Sequence, residues 1–167
     1  LGPSIRSGDF AEILVADFLE FLCKYYVPRT RYERKTTQDE STGGSDVIGF
    51  KSQGNEPSVK DELIVYEVKA NLSENRKGTT LQKAIDDSIK DEVRLAESLN
   101  GIRQRLFDRK DTCGMEEISR FQNNVEHPYT TKFGAAAVIT DSSYCAATLS
   151  SITSQNHPKQ KQLKMLI

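Results

Sequence analysis

Apolar residues recur at three- and four-residue steps from Ser7 to about Tyr26, at Phe10, Ile13, Leu14, Phe18, Phe21, Leu22 and Tyr25. That spacing predicts a helix. Val15, Ala16, Leu19 and Cys23 make a second stripe. The helix is therefore apolar nearly all round and is expected to be buried on most sides. Pro28 is expected to end it. Arg29 to Lys35 is basic and readable as a short strand, and Thr36 to Ser45 is turn-rich around Gly43-Gly44. Asp46 to Lys51 alternates as a strand does. Leu63-Ile-Val-Tyr-Glu-Val-Lys69 is the best strand in the chain, rich in β-branched and aromatic residues. The loop between them holds Gly54, Asn55 and Pro57, so the pair reads as an antiparallel hairpin with a long tip.

Asn71 to Gly78 is a polar loop. Leu81, Ile85, Ile89, Val93, Ala96 and Leu99 then keep one stripe through a helical region from about Thr79 to Arg109, which Asn100-Gly101 is expected to divide. Glu116 to Asn123 is a short helix and Gly134 to Thr140 a buried strand. Tyr144 to Ile152 is ambiguous, and Lys159 to Ile167 reads as a terminal helix. Asp86, Asp87, Lys90 and Asp91 fall on one side of the long helix, where opposite charges at helical spacing suggest a solvated surface. The order of elements implies an α/β (α+β) fold, a mixed central sheet flanked by helices.

The chain has 167 residues and a net charge of −1, which suits one domain of ordinary size and gives no global argument for nucleic acid. No apolar run is long enough to span a bilayer. Three scattered cysteines, Cys23, Cys113 and Cys145, argue for a reducing, cytoplasmic setting and against a disulfide framework or a zinc knuckle. Leu1 to Ser4 resembles a protease-site remnant. The reading is then one domain over residues 5–167, with the natural protein free to extend upstream. No P-loop, nucleophile elbow or dinucleotide-binding glycine pattern is present. His127 and His157 each precede a proline and lack metal-ligand spacing.

The chemistry concentrates in Gly44-Ser45-Asp46 and Glu67-Val68-Lys69. On a strand Glu67 and Lys69 share a face with Leu63 and Val65, and Val68 lies opposite. A carboxylate and an ammonium thus end an apolar row, a costly placement unless the charges are paired or bind a metal. If Phe50 pairs with Leu63, Asp46 falls beside Glu67. Two adjacent carboxylates repel, and a hard divalent cation such as Mg²⁺ resolves the repulsion. Lys69 could then hold the attacking water or offset charge on a phosphate. The competing reading is a Glu67–Lys69 pair on a solvated face. Glu12 either closes a capping box with Asp9 or is aimed at the same ion. Lys24, Arg29, Arg31, Arg34 and Lys35, interleaved with tyrosines, could contact phosphates or simply form a solvated face. Lys159, Lys161 and Lys164 form a smaller cluster, best explained by solubility.

A glutamate in a first helix, then Asp, then Glu-x-Lys at a strand end, resembles the PD-(D/E)XK nuclease superfamily. More narrowly, Gly8 to Glu12, Gly44 to Gly49 and Tyr66 to Ala70 resemble the HamA component of Hachiman anti-phage defence systems, over most of residues 5–155. The resemblance implies a restriction-endonuclease-like fold and a Mg²⁺-dependent DNA endonuclease or nickase, with Mn²⁺ able to substitute. It also implies a helicase partner. By analogy Asp46, Glu67 and the Val68 carbonyl would bind metal, Lys69 would act on the water, and Glu12 would support the site. Ser45 stands where the motif has a nominal proline. Gln82 could be the helical glutamine of some subfamilies, but Asp86 stands four residues on where a tyrosine is expected, and Thr79-x-x-Gln82 reads better as a capping box. The alternatives are a non-catalytic nucleic-acid-binding or helicase-binding module on the same scaffold, and a structural adaptor.

Overall fold

The computed structural model describes residues 3–30, 44–73 and 78–167, without the side chains of residues 3 and 4. Helix α1 (Pro3–Asp17) runs on as a wider π-helical turn, Phe18–Leu22. Strands β1 (Val47–Lys51) and β2 (Glu62–Asn71) follow, then α2 (Thr80–Ser88), α3 (Asp91–Asp108) and α4 (Thr112–Arg120). The chain closes with β3 (Thr130–Ile139), α5 (Ala146–Ser150) and β4 (Leu163–Leu166). The sheet order is β1-β2-β3-β4, with β1 antiparallel to β2 and both β3 and β4 parallel to their neighbours. This is the expected α/β fold, a mixed sheet flanked by helices.

Strand alternation sorts the core into two layers. Ile64, Tyr66 and Val68 of β2 pack with Ala11, Val15, Ala16 and Leu19 of α1. Leu63 and Val65 face the other way, against Leu99, Ile102 and Leu106 of α3 and Ile118 of α4. On the same side α2 sets Leu81, Ala84 and Ile85 on Ala135 and Ala137 of β3. Covered on both faces, β2 reads as a nearly continuous apolar run, as a central strand should. Gly134 lies in register with Tyr66, and a Cβ there would come within 2.4 Å of the tyrosine ring. Glycine is what lets that ring lie flat on β3.

Four expectations are corrected. The α1 helix ends sooner than Pro28, and its core stripe is the smaller one. Ala11 and Ala16 let the helix approach the sheet, while Phe10 is 53% and Leu22 73% exposed. The break in the long helical region falls at Ile89–Lys90, and Gly101 lies inside α3. Asp111 caps α4 by accepting from the Gly114 N–H at 2.8 Å, so that helix starts at Thr112 rather than Glu116. The C-terminal segment is a strand, because Leu163 and Leu166 pair with Phe133 and Ala136 and satisfy the open edge of β3. Arg31 to Lys35 of the proposed early strand lie outside the described residues.

His157, which precedes Pro158, is buried and ties the C-terminal segment to α2. Its Nδ1 accepts from the Lys159 N–H at 3.1 Å, and its Nε2 lies 3.1 Å from the Ser88 hydroxyl. That hydroxyl donates to the Ile85 carbonyl at 2.7 Å, so Nε2 is assigned the proton and donates to Ser88. Burial pushes the His157 pKa down, against the opposing charge of Glu92. Protonation is therefore easier in the unfolded chain. The stability His157 contributes is complete above the unfolded value of about 6.5. It is lost as pH falls toward the lower folded value. Thermal unfolding of the protein and of His157→Asn from pH 8 to 5 checks this. The gap between the two melting temperatures should narrow as pH falls; a constant gap contradicts it.

Candidate active site

Asp46 is the residue that leads into β1, and Glu67 and Lys69 lie near the end of β2. The observed register pairs Val47 with Tyr66 and Phe50 with Leu63, the pairing expected from the sequence. Continued by one step it sets Asp46 beside Glu67. The Asp46 Oδ2 accepts the Val68 N–H at 2.8 Å, so the side chain continues the ladder where β1 has not yet begun. In an extended strand the N–H and C=O of one residue point to the same side. The Val68 carbonyl therefore also faces the Asp46 side.

Glu67 is only 5% exposed and points, with Leu63 and Val65, toward the layer formed by α2 to α4. Lys69 forms an ion pair with Glu67 and a second, at 3.1 Å, with Asp87 of α2. Asp87 also pairs with Lys90 at 2.7 Å. Burial pushes the Glu67 pKa up, and the charge of Asp46 pushes it further, against the hydrogen bond from Lys69. For Lys69, burial works against the ammonium, but its bonds to Glu67 and Asp87 outweigh burial and raise its pKa. Lys69 is thus a held cation beside two acids.

Sequence reasoning missed one group altogether. Asp91, expected on a solvated surface, is 0% exposed at the first turn of α3. Its pKa is raised to about 7 by burial first, then by the charges of Glu67 and Asp46, with the Ser45 hydroxyl and Arg94 opposing. Alternating charge at helical spacing gave no hint of this. The signal that could have found it is the helix break two residues upstream, which turns Asp91 inward at the start of a new helix. Asp87 keeps the expected place, partly exposed and paired with Lys90 three residues on.

Glu12 stands on α1, nine residues after the helix starts at Pro3. The Asp9–Glu12 capping box is therefore ruled out, since neither residue is at a helix start. A cavity of about 240 Å³ is lined by Glu12, Arg29, Ser45, Asp46, Ser98 and Arg105, among others, so the structure brings Glu12 and Asp46 to one hollow. Arg29 donates to Asp17 at 2.6 Å and to Glu20 at 2.5 and 2.8 Å, so its charge is largely met within the chain. Arg31, Arg34 and Lys35 lie outside the described residues. Gln82 is no cap: Thr79 makes no side-chain capping bond, and Gln82 clamps the main chain of Thr153 from both ends, at 2.9 and 3.0 Å.

Among the described residues, no three Asp, Glu, His or Cys side chains are arranged to hold a metal ion together. The groups that would face a cation here, the Asp46 and Glu67 carboxylates and the Val68 carbonyl, offer only oxygen. That is not zinc's usual set, which is built mainly from Cys and His. It does suit Mg²⁺, which keeps several waters and needs one or two carboxylates. The buried Glu67, repelled by Asp46, is the kind of group a dication relieves.

A protein-family model named HamA matches residues 1–166, essentially the whole chain. The chain belongs to the HamA family. HamA is a component of the Hachiman anti-phage defence system, which works with a helicase partner. A search of curated proteins returned no match to this HamA chain. Among the described residues no helix is long and apolar enough to cross a membrane. Cys23 and Cys113 are free thiols.

Proposed function

We propose that this HamA chain is a Mg²⁺-dependent DNA endonuclease or nickase that acts in defence with its helicase partner. The observation that carries the reading is the convergence of Asp46 and Glu67, two carboxylates from adjacent strands, beside the Lys69 amine. Asp46, Glu67 and the Val68 carbonyl would hold the cation. When bound, Mg²⁺, or Mn²⁺ in its place, polarises the scissile phosphate and lowers the pKa of the attacking water.

The chain's own groups do the rest. Asp46 fixes the main chain of Val68 as well as offering its second oxygen to the site. Lys69 sits where it can orient the water for in-line attack and offset charge on the phosphate as the P–O3′ bond breaks. Asp87 keeps the Lys69 ammonium in place when Glu67 is engaged elsewhere. Glu12 supports the site from across the cavity. The products are a 5′-phosphate and a 3′-hydroxyl, which takes up the proton.

The test is cleavage of supercoiled plasmid, linear duplex and single strand in Mg²⁺, Mn²⁺ and EDTA. Nicking or linearisation in either cation, absent in EDTA, is expected. A second reading, a non-catalytic binding module, draws on the net charge of −1 and on the internal pairing of Arg29. DNA retained in EDTA with no cleavage in any divalent cation would favour it.

A further inference from the structure

Asp91 is buried to 0% exposure, and neither carboxylate oxygen finds a hydrogen bond of good geometry among the described residues. A buried acid in that condition is costly and calls for an explanation. Helix capping does not supply one, because no side-chain bond caps the start of α3. Among the described residues ion pairing does not either: the salt bridges around it run from Lys69 to Glu67 and Asp87 and from Lys90 to Asp87. Around Asp91 stand the Ser45 hydroxyl, Arg94 and two further acids. Glu67 and Asp46 are the two charges that act on it most strongly.

Among the described residues no three carboxylates are close enough to grip one ion directly. Mg²⁺ and Mn²⁺, however, retain waters when protein-bound, and those waters need acceptors. We propose that Asp91 is the third acidic group of the cation site, a positioning residue that accepts hydrogen bonds from water held on the ion carried by Asp46 and Glu67. This rests on the cation site proposed above. It explains why the acid is buried yet poorly bonded without the ion, and why it stands at the α3 start rather than on the solvated face.

The experiment compares the full chain with Asp91→Asn, which keeps shape and removes charge. Mn²⁺ binding is measured by titration calorimetry at pH 8, and melting temperature in EDTA. Loss of an outer partner of a metal ligand typically weakens binding by about 10- to 100-fold. Asp91→Asn is expected to weaken Mn²⁺ binding by about that factor and to melt higher in EDTA, since an uncompensated buried charge is gone. A residue with only a structural role cannot give these opposite signs. Affinity within twofold of the parent overturns the inference, and so does a lower melting temperature or failure to fold in EDTA, which would make Asp91 a structural post. Glu67→Gln separates the two claims. If the parent binds Mn²⁺ and Glu67→Gln does not, the cation site stands whatever Asp91 does; if the parent binds none, both fall.

Discussion

Glu67→Gln is expected to lower Mg²⁺-dependent plasmid cleavage by at least about a thousandfold, with the protein still folded. A bound ion contributes several kcal/mol to the transition state, and each 1.36 kcal/mol is a factor of ten. Glutamine keeps the volume of the side chain but removes the negative charge that faces Asp46. The fold should tolerate the change. Glu67 is buried, and its carboxylate is disfavoured there by burial and by Asp46. Lys69 keeps Asp87 as a partner. The measurement is nicking rate against circular dichroism and melting temperature for both proteins. The double variant Glu67→Ala with Lys69→Ala should be equally inactive, and undiminished nicking by it refutes the assignment.

Arg120→Met is expected to give the largest loss of stability, about 3–5 kcal/mol, because it strands a buried carboxylate. Arg120 donates to Asp61 at 2.7 Å and to the carbonyls of Gly54 and Glu56 at 2.8 and 2.7 Å. Asp61 is 2% exposed and also accepts the N–H groups of Gln53 and Ser58, at 2.8 and 3.0 Å. This network pins the tip of the β1–β2 hairpin to α4. Burial pushes the Asp61 pKa up, but the bonds from Gln53, Arg120 and Ser58 outweigh it and hold the acid below its usual value. Its contribution is therefore present above about pH 4 and lost as pH falls further. Urea unfolding at pH 7.5 measures the effect. A loss under about 1 kcal/mol would show the pair to be no better than a surface bridge.

The hairpin that builds the site was legible because a period of two fixes which residues share a face, and a register follows once one pair is chosen. Phe50 opposite Leu63 was enough to bring Asp46 to Glu67. The helix α1 was legible in kind but not in orientation. Two apolar stripes flank each other there, and periodicity cannot say that the one with Ala11 and Ala16 packs inward. Asp91 was illegible because its burial depends on where α2 stops and α3 begins, a break set by how both helices pack rather than by Asn100-Gly101. Strand β4 is four residues whose identity comes from β3, some thirty residues earlier in the chain. Gln82 and Thr153 meet for the same kind of reason: distant segments, joined only by the fold.

Crystals of the chain soaked in Mn²⁺, with anomalous difference density recorded at the manganese edge, ask where a dication rests. A peak in contact with the carboxylates of Asp46 and Glu67 and with the Val68 carbonyl is the expected result. Manganese bound elsewhere, or nowhere, in a protein that still cleaves DNA would contradict the account.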